Sequence, residues 1–230
     1  MGPRPTRWEA LTRIQSIIQL KTYIDRQAEA VVLSLARTIE ARDSYTRGHS
    51  ERLAASAAQL GREVGLSTEQ VETLRIAGIV HDVGKVAVPD SVLLKAGPLT
   101  PQETAIMRTH PVQGERICSP LKSFRCVLPI IRHHHERMDG SGYPDGLRKD
   151  AIPLGARILQ IVDIYDALTT DRPYRIAFSV NQALATLYKE AERGWLDIEL
   201  VRVFAPVANL PKSAQIGEAP GKIEEFRHAS

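Results

Sequence analysis

Ile79-Val80-His81-Asp82-Val83-Gly84-Lys85 is the stretch on which the fold of this chain turns: a histidine and a carboxylate side by side, closing an apolar run, with an ammonium one turn further on. The run behind it, Val71, Leu74, Ile76, Ile79 and Val80, suits a helix opened by Ser67 or Thr68. The pair therefore stands where a helix meets a loop. Alone, such a pair is no more than a capped helix end beside a solvated lysine. What changes that reading is the company it keeps.

Upstream, the spacing predicts a helix from about 46 to 64, with Leu53, Ala57, Leu60 and Val64 on one face, His49 in its first turn and Gly65 as its stop. Downstream, 86–97 reads as an extended connection containing Pro89 and Gly97-Pro98. Thr100-Pro101-Gln102-Glu103 is a capping box that starts a helix carrying His110 near its end, just before Pro111. A helical segment over 126–135 follows, with Pro129 as a start or a kink, and then a glycine-rich loop from Asp139 to Gly146. Pro153 opens an apolar helix through Ile158, Ile161, Val162 and Tyr165 that carries Asp163 and Asp166, and 171–175 breaks it. Ser179 to Gln182 is a second capping box, Gly194 a stop, and 196–204 a last helix. No alternating strand pattern is present, so the expected class is all-α, a helical bundle with a long N-terminal helix.

Three parts are expected: an N-terminal helix over 1–34, a catalytic domain over 35–205, and a loosely held tail over 206–230. Between Trp8 and Arg42 there is no glycine or proline, and Ile14, Ile17, Ile24, Ala28, Val31 and Leu35 recur by threes and fours, interrupted by Lys21. This is either a coiled-coil seam through which two copies pair, or an amphipathic helix lying on its own domain. Thirty basic residues against 27 acidic ones give a net charge of +3, too balanced to announce DNA binding. No apolar run is long enough to span a membrane. Cys118 and Cys126 have neither metal-binding spacing nor the number for a disulfide framework, so they read as free thiols of a reducing compartment and the cytoplasm is the expected location.

Six of the seven histidines fall in four places: His49, His81, His110 and His133-His134-His135. Each lies at or near an expected helix end, and Asp82 and Asp163 accompany them. Neutral imidazole and carboxylate are ligands for zinc, iron or manganese, and with His133 set aside the seven remaining candidates exceed the needs of one ion. Two metals are the natural inference. Metals roughly 4 Å apart hold water as hydroxide at neutral pH and clamp both oxygens of a phosphoryl transfer, so phosphate-ester hydrolysis is expected. His133 is expected at the surface, Asp166 as a partner of a ligand, and Asp139 and Asp145 as turn formers.

His81-Asp82 with Lys85 resembles the signature of HD-domain phosphohydrolases. The stretch from His134 to Pro144, His-His-Glu-Arg-Met-Asp-Gly-Ser-Gly-Tyr-Pro, resembles the motif of the HD-GYP subfamily. Tyr45 to Ser50, Ile152 to Ile158, Asp163 to Thr169 and Arg172 to Arg175 are similar to further family motifs, together covering roughly 35–204. The resemblance implies a metal-dependent phosphodiesterase acting on cyclic di-GMP through a metal-bridging hydroxide, giving pGpG or GMP. It implies His49, His81, Asp82, His110, His134, His135 and Asp163 as ligands of two ions, iron or manganese, with Asp82 as the bridge. Lys85 would meet the scissile phosphate, Arg172 and Arg175 substrate phosphate or base, and Gly142-Tyr143-Pro144 would line the entrance, with Tyr143 placed to stack a guanine. Lys85, a histidine and a water all remain open as the proton donor to the leaving oxygen. Tyr45 stands where some members carry a glutamate for a third metal, which favours two. Two other readings are a module that docks on GGDEF-domain proteins through the Gly-Tyr-Pro loop, and a phosphodiesterase for another substrate such as cyclic GMP-AMP.

Overall fold

The computed structural model describes residues 7–42, 48–171 and 176–209. Among them every regular element is helical: α1 Arg7–Arg42, α2 His49–Glu63, α3 Thr68–Val80, α4 Asp90–Leu93, α5 Pro101–Met107, α6 His110–Cys118, α7 Leu128–His133, α8 Leu154–Thr169, α9 Val180–Glu192 and α10 Ile198–Ala208. Short 3-10 turns occupy Val83–Ala87, Lys122–Phe124 and Lys149–Ala151. The chain is all-α, as expected.

The two expected capping boxes form at Thr100 and Ser179, and a third, beyond those expected, opens α3 at Ser67. Each of these residues accepts from the backbone three residues on, and Glu103, Gln182 and Gln70 reach back. Each box satisfies two of the amide groups that a helix start leaves over. α2 lies along α3 and α8, α6 packs on α7 and on the turn at Val83–Ala87, and α9 and α10 cover α8. Leu53, Leu60, Leu74, Ile131, Ile158, Ile161 and Phe204 fill the space between them and are almost inaccessible. Burying each such side chain contributes about 2 kcal/mol, enough in sum to fix the helix ends that carry the histidines.

Proline causes most of the departures from expectation. The segment 86–97 is not extended throughout: Val83–Ala87 is a 3-10 turn, and Pro89 caps the one-turn α4. Pro111 does not mark the end of a helix carrying His110. α5 stops at Met107, His110 begins α6, and Pro111 falls in its first turn, where a missing N–H breaks no bond. α10 continues past Phe204 and through Pro206 to Ala208, burying Val207 and Ala208, so the beginning of the expected tail belongs to the fold. α2 begins at His49 rather than 46, while 43–47 and 210–230 lie outside the described residues.

α1 crosses positions 34 and 35 without a break. Burial changes instead. Ala36 and Ile39 enter the core, whereas Leu11, Ile14, Ile17, Ile18, Leu20, Ile24 and Val31 are exposed. Among the described residues no helix is long and apolar enough to cross a membrane.

One contact sets the spacing between the turn after α3 and the start of α6. Gly84, in that turn, meets α6 backbone to backbone, and a Cβ there would overlap the His110 carbonyl oxygen. Only glycine allows that approach.

Candidate metal centre

α3 ends with His81 as its C-cap, and Asp82 begins the turn after it. His110 opens α6, His134 caps α7, His49 opens α2, and Asp163 lies within α8. Five separate elements therefore converge on one place.

Three of the histidines share a local device. His81 Nδ1 lies 2.9 Å from Gly78 O, His110 Nδ1 2.8 Å from Met107 O, and His134 Nδ1 2.7 Å from Ile131 O. A carbonyl only accepts, so the ring proton sits on Nδ1 and, in the neutral ring, Nε2 holds a lone pair. His49 is oriented by a carboxylate instead. Its Nδ1 is 2.7 Å from Asp166 Oδ2, and Arg52 donates to both oxygens of Asp166 at 2.6 and 2.9 Å.

The free faces of these rings point at each other. His81 Nε2 is 3.3 Å from Asp82 Oδ2 and His110 Nε2 is 3.3 Å from Asp82 Oδ1, so the two oxygens of one carboxylate address two different histidines. His49 Nε2 lies 3.4 Å from Asp163 Oδ1. His110 Nε2 and His134 Nε2 are 3.4 Å apart, two lone pairs facing one another, an arrangement that a cation between them relieves. Three groupings have ligand atoms within 4.8 Å of one another: His49, His81 and Asp163; His110, His134 and His135; and His81, Asp82 and His134. All seven residues expected as ligands are among them.

Protonation follows from the surroundings. Burial holds His134 and His135 well below the ordinary imidazole range, with the neighbouring rings of His135 and His110 respectively adding to it. Burial also lowers His110, against the pull of Asp82. Burial alone would raise the Asp82 carboxyl, but His81 and Lys85 outweigh it and hold it well below the usual carboxylate range. His81 moves upward because Asp82 overcomes its burial. Mostly neutral imidazoles around an ionised carboxylate are the protonation state that a divalent cation needs from its ligands. With nitrogen and oxygen donors and no thiolate, the set fits iron, manganese or zinc.

Lys85 Nζ is 2.7 Å from Asp82 Oδ2. A hollow beside it is lined by Ile39 and Glu40 of α1, Ser50 and His49 of α2, and Asp82. Tyr143 stacks on His135, ring centroids 4.9 Å apart and planes 26° from parallel, and the Arg108 guanidinium carbon lies 5.0 Å from the Tyr143 ring centre. His133 stands outside the cluster, bonded to Pro129 O and to Asp145. Asp139 accepts from the Ser141 amide at 2.8 Å, the turn-forming role expected of it, and Asp145 is bound by Arg132 at 2.7 and 2.9 Å. Arg172, Arg175 and Tyr45 lie outside the described residues.

Sequence reasoning gave no role to Glu136, Arg52, Gln160 or Arg108. The Glu136 carboxylate is fully buried and accepts from the amides of Asp145, Gly146 and Leu147 at 2.7, 3.0 and 3.1 Å, while its carbonyl accepts from Gln160 Nε2 at 2.6 Å. It pins the Gly-Tyr-Pro loop to α8. Gly142 passes so close to the backbone of Glu136 and Arg137 that a side chain would overlap it. The available signals were a carboxylate directly after two histidines, and an arginine three residues after His49 on the same helix face.

The model of the HD domain family matches residues 34–200. The chain belongs to the HD-domain family. Among curated relatives of this HD domain is the cyclic di-GMP phosphodiesterase response regulator RpfG of Xanthomonas campestris pv. campestris, 42% identical over 189 residues, covering 81% of this chain and 50% of RpfG. Another is 3'3'-cGAMP-specific phosphodiesterase 3 of Vibrio cholerae, 36% identical over 163 residues, covering 71% of this chain and 35% of that protein. The chain thus spans half or less of the length of either relative. In fold, the HD domain is similar to the crystal structure of a cyclic GMP-AMP-specific phosphodiesterase of V. cholerae, with a TM-score of 0.63, 18% identity, and coverage of 83% of this chain and 51% of that one.

Proposed function

We propose that this chain is a metal-dependent phosphodiesterase of HD-GYP type that hydrolyses cyclic di-GMP to pGpG or GMP. The observation that carries the reading is the placement of Asp82, whose two oxygens each lie 3.3 Å from a different histidine Nε2, joining one group of donors to the other. His49, His81 and Asp163 would hold one ion and His110, His134 and His135 the second, with Asp82 between them. When bound, two ions of iron or manganese supply Lewis acidity to the charge that builds on a phosphodiester.

The protein's own groups do the rest. The backbone-anchored histidines keep their lone pairs aimed inward, and Lys85, held by Asp82, places an ammonium beside the position of a phosphate. Arg172 and Arg175 are the candidates for further contacts to a substrate that carries two phosphodiester anions. A second reading, hydrolysis of 3'3'-cGAMP, draws on relatives of that name. Incubating anaerobic, iron- or manganese-loaded protein with each dinucleotide and analysing the products separates them. Linear product from cyclic di-GMP at the higher kcat/KM is expected, and no linear product under any loading overturns the enzyme reading.

A second copy of this chain is our proposed occupant of the exposed face of α1. Ile14, Ile17, Ile24 and Val31 are each more than half exposed and recur by threes and sevens, and Lys21, interrupting them, is the kind of residue that fixes register in a two-stranded coil. Equilibrium sedimentation is expected to give a dimer, and a monomer at high concentration would dispose of the idea.

A further inference from the structure

The Tyr143 ring has two close neighbours. His135 stacks on it, ring centroids 4.9 Å apart and planes 26° from parallel, and the Arg108 guanidinium carbon lies over it, 5.0 Å from the ring centre. Tyr143 itself is only partly exposed, and both neighbours already take up space against its ring. The surface presented outward belongs to Arg108, an exposed residue at the C-cap of α5, two residues before His110.

Arg108 also differs from the other arginines near the site. Arg52 pairs with Asp166, and Arg132 with Glu115 and Asp145, whereas among the described residues the Arg108 guanidinium has no carboxylate partner. A guanidinium is a planar cation, and such planes stack on nucleobases as well as on aromatic rings.

We infer that Arg108 is the base-stacking platform of the site: a column of His135, Tyr143 and Arg108 rises from the metal centre and is completed by a purine base of the bound dinucleotide. Tyr143 acts as the support of this column, and Arg108 as the contact. The inference rests on the cyclic-dinucleotide reading above and adds where a base would lie. It accounts for a tyrosine in a loop held rigid by Glu136, since a platform two layers thick transmits any slack in its base.

The test separates planarity from charge. Cyclic di-GMP binding to manganese-loaded protein is measured by titration calorimetry for wild type and for Arg108→Ala, Arg108→Lys and Arg108→Trp. The alanine variant is expected to weaken Kd about tenfold, the size of one base-stacking contact. Lysine, which keeps the charge and loses the plane, should fall with alanine; tryptophan, which keeps a plane and loses the charge, should stay within about threefold of wild type. Lysine binding like wild type, or alanine binding unchanged, overturns the inference. Because binding is read apart from turnover, wild-type protein that binds cyclic di-GMP without cleaving it would sink the phosphodiesterase reading while still testing Arg108. Wild-type protein that does not bind it would sink both.

Discussion

The two halves of the proposed metal centre hold their candidate ligands by different means. His110 and His134 are fixed by carbonyls three residues back along their own chain, and the group they form with His135 contains no carboxylate. His49, by contrast, is fixed by Asp166, which is fixed by Arg52, and its group includes Asp163. One half is thus held largely by the chain's own carbonyls. The other combines one such anchor, on His81, with a chain of side chains on His49 that single substitutions can tune. Asp82 belongs to neither alone.

The sharpest way to break this division is to remove what joins it. Asp82→Ala is expected to abolish turnover and to cost bound metal at both positions, measured by metal analysis of purified protein; full activity or full metal content would end the bridging assignment. Next in size, Asp163→Asn and His135→Ala should each lose the ion of their own half and keep the other, since no grouping contains both residues. Loss of both ions from either variant would mean that the halves are one site.

Asp166→Ala should weaken metal affinity on the order of 10- to 100-fold, as loss of a group that orients a ligand does. The effect belongs to the first half, and metal competition titrations measure it. A smaller effect is that of pH on the metal-free protein. His110, His134 and His135 are lowered in the folded state from a reference value of 6.5, and His81 is raised. For the lowered groups the unfolded chain takes up protons that the folded one refuses, so stability is full above 6.5 and declines as pH falls toward their folded values. His81 opposes this, its contribution being fully present below 6.5 and lost as pH rises through its folded value. With two groups shifted far down against one shifted up, the unfolding midpoint should drop as pH falls below 6.5. A midpoint that rises would show that His81 dominates. The smallest effect is that of His133→Ala, outside both halves, which should change stability by no more than about 0.5 kcal/mol in denaturant titration and leave metal content as it was.

The class of the fold was legible in the sequence because it depends on local pattern, apolar spacing and capping boxes. The seven ligand candidates were legible because most are histidines near helix ends set in motifs that resemble a known family; that they meet in one place is a tertiary fact. Pro111 was misleading because a proline just past a helix and a proline in the first turn of the next one look alike until the chain between them is placed. Glu136 and Arg52 went unassigned for a different reason. Their roles are contacts made at a distance, Glu136 to amides 9 to 11 positions on and Arg52 to a carboxylate 114 positions away. Tyr143 shows the limit most clearly. An exposed-looking loop tyrosine suggested a stacking surface, and only packing revealed that His135 and Arg108 already lie against its ring.

Gly84 lends the centre something like a thickness gauge. The turn carrying Asp82 and the start of α6 carrying His110 are pressed together until backbone touches backbone, with a hydrogen atom as the only shim. The 3.3 Å between Asp82 Oδ1 and His110 Nε2 is therefore a tolerance machined by the absence of a side chain. A single added methyl at Gly84 would wedge the joint open and change the span across which Asp82 must reach, while leaving every candidate ligand in place.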